Sequence, residues 1–359
     1  MSIVRLELSQ LRNISSLVLD AHPQLNIIAG ANGSGKTSLL EGIYLLGRGR
    51  SFRTNKRSSL IKENQDCCQL FTRLANNEQS TDQLGIEICP RSRRIRLNGE
   101  DIQKSADLAR FLPLQFLNQQ SFALVDQGPA VRRKFLDWGV FHVEPGFFSA
   151  WQHYQRALQQ RNAALRQGNT DTRAWDKELA NTALPLHSMR KQYVDALNQA
   201  FLLRINELLP EMPISIDYLP GWDDGQPILS IFEKDRHKDG RRGFTHSGPH
   251  RADLCFMLEK SPAIERLSRG QQKLLVSALT LAQADIYATS TSKRCVILAD
   301  DLTAELDNRH TGVLLNALMK TGAQVFLTVT NEALLGDLLD IPHALFHVEQ
   351  GDLKLVEVL

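Results

Sequence analysis

The chain has 359 residues, more than one simple hydrophobic core usually organises, and this length predicts two domains or one large lobed domain. Hydrophobic residues make up 42% and charged residues 23%, as in an ordinary folded soluble protein. The formal net charge of +2 excludes a uniformly basic nucleic-acid binder, so any surface that binds nucleic acid must be local.

The N-terminal segment and the cysteines bear on the compartment. Residues 1–14 carry charges throughout and lack the apolar stretch of a secretory signal. No run in the chain approaches about 18 uninterrupted apolar residues, the length of a membrane span. The cysteines form no CxxC pair and no ladder typical of disulfides, which fits a reducing cytosol. They are Cys67, Cys68, Cys89, Cys255 and Cys295. We therefore expect a soluble, cytoplasmic protein.

A glycine-rich turn lies between an apolar strand, 25–29, and a predicted helix, 37–46. Residues 30–37 fit the pattern G-x-x-x-x-G-K-[ST], whose backbone N–H groups and positive helix end face phosphates. Lys36 supplies a cation, and the Thr37 hydroxyl is placed to bind Mg²⁺. The turn therefore predicts a nucleoside-triphosphate site. Its expected contacts are Gly30, Ala31, Asn32, Gly33, Ser34, Gly35, Lys36, Thr37 and Ser38.

Basic side chains cluster at three places in the chain. The clusters are Arg48, Arg50, Arg53, Lys56 and Arg57; Arg91, Arg93, Arg94 and Arg96; and Arg236, Lys238, Arg241 and Arg242. The second lies among predicted strands, 84–88 and 95–97, followed by the hairpin signal Asn98-Gly99. Alternating arginines on a strand lie about 6.6 Å apart on one face, comparable to phosphate spacing along DNA. Each cluster alone is also typical of a solvated face, and the sequence leaves open which one binds DNA.

A mainly helical segment follows from residue 149. Apolar residues at helical spacing predict one helix over 151–165, broken at Gly168-Asn169, and a second over 186–208 that ends before Pro210. Pro185 is expected to start or kink the second helix. Both helices are too short for a long coiled coil. They predict either an arm that docks a partner or a helical subdomain that completes the core.

Two further segments predict parts of a nucleotide site. Ser268 and Gln271 form a capping box at the start of a helix, which makes a second potential phosphate site. The apolar run 295–299 then ends in two carboxylates, as a buried parallel strand that faces Mg²⁺ does. We assign Asp300 to the metal and Asp301 to the attacking water.

With these residues in place, the sequence resembles the ABC-type ATPases. The segment 267–273 is similar to their LSGGQ-like signature, and 304–307 and 325–330 are similar to the loop and strand that follow the acidic strand. The resemblance implies a dimer with two ATP molecules between the heads. In that dimer Ser268, Gly270 and Gln271 of one protomer complete the site of the other, and Asp307 contributes to nucleotide binding.

A closer resemblance is to the RecF family of bacterial recombination-repair ATPases, among the SMC-like heads. The runs that carry it are 11–14, 49–54, 132–138, 141–147 and 247–254. It implies that Arg12 and Asn13 contact the nucleotide, that duplex DNA is bound at single-strand gaps or junctions, and that RecR and RecO cooperate in loading RecA. Gln119-Gln120 replaces an expected Pro-Glu, which leaves Gln115, Gln119 and Gln120 open as γ-phosphate sensors. Leu11 replaces an expected Phe, so no aromatic stacking on the base is predicted there.

The sequence thus predicts an α/β protein: an ABC-type P-loop ATPase head with a mixed sheet and flanking helices, an inserted helical subdomain, and no long coiled coil. The expected parts are 1–125 with the P-loop, 126–235 as the short helical arm, and 236–359 with the signature and acidic strand. The expected function is an ATP-gated DNA clamp with weak, DNA-stimulated hydrolysis of ATP to ADP and phosphate. Asp301 is one methylene shorter than the glutamate usual in transport ATPases, which predicts slow turnover.

The favoured DNA contacts are Arg48, Arg50, Arg53, Lys56, Arg57, Arg94 and Arg96. No segment is typical of base reading, so the clamp is expected to bind DNA backbone and junction shape. His246 and His250 are separated by Gly248-Pro249, which disfavours a zinc site. The alternatives are an ABC-type ATPase subunit of another assembly, such as a transporter, and a scaffold that uses ATP structurally. Arg269, in place of the signature's first glycine, disfavours the transporter.

Overall fold

The structure is a computed structural model that describes residues 2–77, 80–168, 171–301, 306–330 and 341–359, without the side chains of 76, 77, 80, 120 and 308. The chain divides into two compact units, Met1–Ser121 with Tyr287–Leu359, and Phe122–Ile286. These boundaries differ from the expected parts, because the signature segment belongs to the second unit with the helical segment. The three-part functional division stays a prediction.

The strands are β1 (Ser2–Leu11), β2 (Ile14–Asp20), β3 (Leu25–Ala29), β4 (Cys68–Asn77), β5 (Ser80–Ile88), β6 (Arg93–Leu97), β7 (Glu100–Asp101), β8 (Leu114–Leu117), β9 (Ile214–Leu219), β10 (Asp253–Leu258), β11 (Ser261–Pro262), β12 (Val296–Ala299), β13 (Gln324–Val329), β14 (His343–Glu349) and β15 (Asp352–Val358). The α-helices are α1 (Lys36–Arg48), α2 (Ser105–Phe111), α3 (Ala123–Asp126), α4 (Pro129–Val143), α5 (Phe147–Arg166), α6 (Arg173–Leu208), α7 (Ile228–Arg242), α8 (Arg269–Thr291) and α9 (Asn308–Lys320).

The first unit contains a mainly parallel sheet with strand order β15-β14-β3-β13-β12-β8. Strands β14, β3, β13, β12 and β8 pair in parallel, and only β15 at one edge runs antiparallel. β3 and β12 are fully buried, which is why they read as continuous apolar runs in the sequence. Because the carboxyl ends of parallel strands share one edge, the glycine-rich turn after β3 and the carboxylates after β12 meet there.

A second sheet of the first unit is antiparallel, in the order β2-β1-β4-β5-β6-β7. Helix α1 contributes Leu39, Leu40 and Ile43 to a core that also holds residues of both sheets, such as Leu6 and Phe326. The Asn98-Gly99 hairpin is confirmed: Leu97 pairs with Glu100, and Asn98 and Gly99 have φ values of 50° and 87°, as a two-residue primed turn requires.

A disulfide joins Cys67 to Cys89 beside this sheet. The sequence analysis predicted no disulfide among the cysteines, and for this pair the prediction was wrong. The two residues flank β4 and β5, where Cys68 lies opposite Ile88, and the antiparallel register therefore places them side by side. Their separation of 22 residues along the chain gives no hint of this proximity. The remaining cysteines, Cys68, Cys255 and Cys295, are free.

The second unit packs helices with a small antiparallel sheet of order β11-β10-β9. The two predicted helices are confirmed as α5 and α6, and they pack against each other. Pro185 does not start the second helix, because α6 begins at Arg173 and continues through the proline as one helix of 36 residues. Asn169 lies outside the described residues. Across the part of the chain that is described, no helix is long and apolar enough to cross a membrane.

Candidate functional site

A cavity of about 970 Å³ opens in the first unit where the strands of the parallel sheet end. Most of the predicted nucleotide contacts line it: Arg12, Asn13, Asn32, Gly33, Gly35, Lys36, Thr37, Ser38, Gln119, Asp300 and Asp301. Further lining residues were not predicted as contacts: Phe52, Ser59, Ile61, Lys62, Glu63, Asn118, Thr328 and Thr330, with Arg53 expected only at DNA. The structure therefore brings both halves of the predicted phosphate and metal site together.

The glycines of the turn allow its tight path. Gly30 has φ 154°, and a Cβ there would lie 2.4 Å from the Val348 carbonyl oxygen. Gly35 has φ 124°, and a Cβ there would lie 3.1 Å from the Asn13 amide nitrogen. Helix α1 begins directly after this turn, and no side chain caps its N-terminus. Its first N–H groups therefore present an anion site of the kind that phosphates occupy.

Lys36 is held within this turn. Its Nζ donates to the carbonyl oxygens of Gly30 and Ala31 at 2.6 and 2.9 Å. Burial lowers the pKa of the ammonium, and the charges of Asp301 and Asp300 oppose that shift. The cation is thus placed at the cavity by backbone oxygens, and no carboxylate of the described segments forms an ion pair with it.

Asp300 lies among hydroxyl groups at the end of β12. Its Oδ1 accepts from the Thr328 hydroxyl at 2.8 Å and from the Thr37 hydroxyl at 3.2 Å. Burial raises the pKa of the carboxyl, and the hydrogen bonds from Thr328 and Thr37 oppose that shift. A carboxylate beside a hydroxyl is an oxygen donor set that suits Mg²⁺, so these residues fit the predicted metal.

Asp301 also reaches the cavity, and its backbone is fixed by the neighbouring strand. Its N–H donates to the Thr328 hydroxyl at 2.9 Å, and its φ of 51° is in the left-handed region. Aspartate tolerates this conformation better than most residues. Thr328 thus contacts both members of the acidic pair, the Asp300 carboxylate and the Asp301 backbone N–H.

Arg12 and Asn13 are tied to the same helix as the glycine-rich turn. The Asn13 amide donates to the Ser34 carbonyl at 3.1 Å and its oxygen accepts from the Ser38 hydroxyl at 2.9 Å. Arg12 donates two hydrogen bonds of 2.9 Å to Glu41, which is fully buried on α1.

Glu41 is a residue that the sequence reading did not identify. Besides Arg12 it accepts a hydrogen bond from the Ser51 hydroxyl, and Arg53 lies 3.7 Å from its second oxygen. One buried carboxylate therefore positions two arginines that line the cavity. The sequence signal that could have identified Glu41 is its position as a charged residue among the apolar residues of the predicted helix.

The γ-phosphate sensor was left open among three glutamines. Gln119 lines the cavity, beside Asn118, whereas Gln115 is buried within β8. The side chain of Gln120 lies outside the described residues. Gln119 is thus the one of the three that the structure places at the cavity, and Asn118 is a polar neighbour that the prediction missed.

The signature residues occur in the second unit at the start of α8. The capping box is present: Ser268 N–H donates to the Gln271 side chain at 2.9 Å, and Gln271 N–H donates to the Ser268 hydroxyl at 3.3 Å. Asp307 does not line the cavity. It caps α9 by accepting the His310 N–H at 2.8 Å, and that hydrogen bond is the main cause of its lowered pKa. Residues 304 and 305 lie outside the described residues.

The basic residues expected at DNA differ in how far they are neutralised. Arg94 and Arg96 both bond to Asp101, at 3.0 and 3.2 Å, so their stripe carries less free charge than the sequence indicates. Arg48 is half-buried and donates to the Leu114 carbonyl, and burial lowers its pKa to about 10. The remaining members of the cluster, Arg50, Lys56 and Arg57, are exposed.

His246 and His250, which the sequence disfavours as zinc ligands, each contact other side chains. Among the described residues, no three or more histidines, cysteines and carboxylates are grouped so that they could hold a metal ion. His246 contacts Asp239 through Nδ1 at 2.7 Å. His250 contacts the Tyr154 hydroxyl at 2.6 Å, and burial lowers the pKa of this histidine to about 4. Both rings therefore have structural partners.

The chain is similar to known proteins along nearly all its length. The family model described as RecF/RecN/SMC N terminal domain matches residues 2–353. The DNA replication and repair protein RecF of Shewanella pealeana is 41% identical over 364 residues, which cover 99% of this chain and 100% of that protein. The protein of the same name from Pseudomonas putida strain W619 is 41% identical over 360 residues, covering 98% and 97%.

Solved structures show the same fold. The recombination mediator protein RecF with ATP, in the RecFOR pathway, matches with a TM-score of 0.85 at 22% identity and covers 99% of this chain and 98% of that one. An SMC head bound to the C-winged helix domain of ScpA matches with a TM-score of 0.64 at 16% identity, covering 100% and 98%. The predicted fold class, an ATPase head without a long coiled coil, is confirmed.

Proposed function

Because this chain belongs to the RecF family of DNA replication and repair proteins, within the RecF/RecN/SMC group, we propose that it is an ATP-gated DNA clamp. ATP closes a dimer of heads around duplex DNA at a single-strand gap, and slow hydrolysis opens it. The observation that carries the proposal is that Lys36, Thr37, Asp300 and Asp301 line one cavity at the carboxyl edge of the parallel sheet.

The predicted site residues that line the cavity have roles that follow from their chemistry. The uncapped start of α1 and Lys36 bind the phosphates, since both present N–H donors and positive charge. Thr37 and Asp300 hold Mg²⁺, which neutralises charge on the transferred phosphoryl group. Asp301 orients the attacking water. Gln119, with Asn118, is placed to contact the γ-phosphate.

The second unit supplies the other half of a shared site. Ser268, Gly270 and Gln271 bind the γ-phosphate held by a partner protomer. The capping box supports this assignment, because it fixes the start of α8 and leaves the Ser268 side chain exposed. Hydrolysis in this arrangement requires two copies of the chain, and loss of the γ-phosphate removes the contact between them.

The DNA and protein partners follow from the family. The solved relative is a recombination mediator of the RecFOR pathway, which supports cooperation with RecR and RecO and, through them, loading of RecA at gapped replication forks. A cytoplasmic location and DNA-stimulated hydrolysis belong to the same proposal. The exposed residues Arg50, Lys56 and Arg57 are the strongest of the predicted duplex contacts, because they have fewer neutralising partners than Arg94 and Arg96.

The proposal is tested by fluorescence anisotropy of a labelled gapped duplex, titrated with protein at fixed salt with and without Mg²⁺-ATP. Salt is fixed because phosphate-driven affinity falls steeply as salt rises. We expect a large gain in affinity with ATP that disappears in Ser268→Arg, which cannot close on a partner's nucleotide. Equal binding with and without ATP in the wild type would contradict the clamp. A purely structural ATP site would make Asp301→Asn indistinguishable from the wild type, whereas the clamp predicts a trapped dimer.

A further inference from the structure

A surface patch at the end of α7 combines cations with one exposed aromatic ring, Phe244, which stacks on a histidine. We call it the basic-aromatic patch, and it consists of Lys238, Arg241, Arg242, Phe244, His246 and Arg251. It lies in the second unit, whereas the residues of the nucleotide cavity lie in the first. Only its helical cations belong to a cluster recognised in the sequence.

Local chain geometry builds the patch. Helix α7 ends at Arg242, and Gly243 follows in the left-handed conformation, with φ 73° and its N–H donating to the Asp239 carbonyl at 2.8 Å. This is the usual conformation of a helix C-cap, and glycine adopts it without strain. The turn brings Phe244 and His246 out of the helix next to the cations of its last turns.

Most cations of the patch have no carboxylate partner in the part of the chain that the structure describes. Lys238, Arg241 and Arg242 together line a cavity of about 470 Å³. No described carboxylate forms an ion pair with Lys238, Arg241 or Arg251. Arg242 donates instead to His246 Nε2 at 3.0 Å.

Two of the three acids of the same helix have partners outside the patch cations, and the third, Glu233, is exposed and forms no ion pair with them among the described residues. Asp239 is fully buried and bonds to Arg161 at 2.6 Å, and Asp235 accepts from the Ser247 hydroxyl at 2.8 Å. Arg236, the fourth member of the sequence cluster, bonds to the buried Asp176 at 2.8 Å. Cations at a helix C-terminus stabilise the helix dipole, but that role requires neither Arg251 nor an exposed ring.

The Phe244 ring is exposed, and the His246 ring, whose side chain is only 12% exposed, supports it from beneath the surface. Phe244 is 36% exposed and stacks on His246 with ring centroids 4.3 Å apart and planes at 29°. The Arg251 guanidinium lies 5.5 Å from the centre of the Phe244 ring. Nδ1 of His246 contacts the buried Asp239 at 2.7 Å while Nε2 accepts from Arg242, so both ring nitrogens are fixed. The stack is thus organised before any ligand arrives.

We infer that the basic-aromatic patch binds a single-stranded polynucleotide, with bases stacked against the exposed Phe244 and Arg251 side chains and phosphates at Lys238, Arg241 and Arg242. Single strands expose the base faces that stack on aromatic rings and guanidinium planes, whereas a duplex conceals them. An acidic protein segment would contact the cations but would make no use of the exposed Phe244 ring. The inference rests on the proposed function, because it assigns the single-stranded side of a gap to this patch.

The test uses the full chain and a fluorescein-labelled dT oligomer, with anisotropy measured at several salt concentrations. Phe244→Leu keeps an apolar side chain but removes the π face, and we expect roughly 5- to 100-fold weaker binding. Phe244→Trp should retain or strengthen binding. Arg241→Gln should lower the salt dependence by about 0.7 in log–log slope, as expected for one lost phosphate contact on a single strand. The matched control is Leu203→Ala, which removes another exposed apolar side chain, 75% exposed, in the same unit.

Thermal unfolding and ATP hydrolysis of each variant establish that it is folded, and neither should change. If Phe244→Leu and Arg241→Gln both bind the dT oligomer like the wild type, the inference is overturned, even where ATP-dependent binding of gapped duplex persists. If those substitutions weaken binding of polyglutamate but leave dT binding intact, the patch binds an acidic protein segment and the inference is also overturned. If the wild type binds no DNA with ATP, the proposed function itself fails.

Discussion

The nucleotide cavity and a buried ionic cluster of the second unit both hold charged groups away from water, but they use them differently. In the cluster, Arg161 bonds to Asp176 at 2.8 Å and to Asp239 at 2.6 Å, and Arg236 bonds to Asp176, so two arginines face two aspartates. In the cavity, Lys36 is held by neutral carbonyl oxygens and Asp300 by hydroxyls.

The difference teaches which buried charges are available for a ligand. The cluster is internally neutralised, and its Arg161, Asp176 and Asp239 side chains are fully buried, so its charges stabilise the native packing of helices. The cavity keeps the Lys36 ammonium and the Asp300 carboxylate in place with neutral partners, beside an open volume. Burial alone therefore does not identify a binding site; a charge held by neutral groups beside an open volume does.

The largest effect should come from breaking the ionic cluster. Asp176→Asn removes one of the two carboxylates that Arg161 contacts and also the carboxylate that Arg236 contacts, so this buried site gains uncompensated positive charge. We expect the free energy of unfolding to fall by about 3–5 kcal/mol. Calorimetry and urea denaturation measure it. The control is Asp171→Asn, which removes an exposed partner of Arg173 and should change stability by less than about 0.5 kcal/mol. Equal stability of the two variants would contradict the structural role of the cluster.

The second effect is a loss of ATP hydrolysis on substitution of Lys36, with the free energy of unfolding almost unchanged. Lys36→Ala removes the cation from the phosphate site, and we expect ATP hydrolysis to fall by roughly 10²- to 10³-fold, the cost of losing one preorganised charged donor. A coupled phosphate-release assay measures the rate, and unfolding curves verify the fold. A variant that hydrolyses ATP at the wild-type rate would refute the cavity as the site of chemistry.

A smaller effect, on ATP affinity, is expected at Glu41. This residue has features of both regions, because its charge is buried and paired, as in the ionic cluster, and it positions residues of the nucleotide cavity. Glu41→Gln replaces its charge-assisted bonds to Arg12 with neutral ones, and we expect ATP to bind about 10-fold more weakly, corresponding to about 1.4 kcal/mol. Titration with a fluorescent ATP analogue measures the affinity. Arg5, a half-buried arginine of β1 that pairs with Glu7, provides the control variant Arg5→Gln. Unchanged affinity in Glu41→Gln would show that Arg12 is positioned without it.

The smallest effect is a pH dependence at Asp300. Burial raises the pKa of this carboxyl above its ordinary value of 3.8, so the folded chain gains the proton at a higher pH than the unfolded chain. Stability without nucleotide therefore falls as the pH rises from 3.8 through the raised pKa, because the unfolded state ionises first. Affinity for Mg²⁺-ATP rises over the same window, because the ionised carboxylate binds the metal.

The pH prediction is measured as the difference between the wild type and Asp300→Asn in Mg²⁺-ATP affinity across that window. The subtraction removes the titration of ATP itself and of other groups. We expect the difference to grow as the pH rises and to vanish at the acidic end. A difference that is constant with pH would contradict a titrating Asp300 as a metal ligand.

Much of the fold and the cavity could be predicted because the signals are local. The apolar run of β3, the glycine pattern after it and the capping box at Ser268 each depend on residues within one turn or strand. Parallel strands end at one edge of a sheet, and this rule predicted that Thr37 and Asp300 come together although 263 residues separate them along the chain.

The tertiary structure alone decided which partners the charged and sulfur-containing side chains have. Whether Arg94 and Arg96 are free or bound to Asp101 depends on the pairing of β6 with β7. Whether Cys67 reaches Cys89, and whether Glu41 contacts two arginines, depends on how separate segments pack. The sequence by itself determined where backbone N–H groups, carboxylates and cations would be needed for phosphate chemistry. Only packing determined which charges were neutralised, because electrostatic pairing acts over a few ångströms in space regardless of separation along the chain.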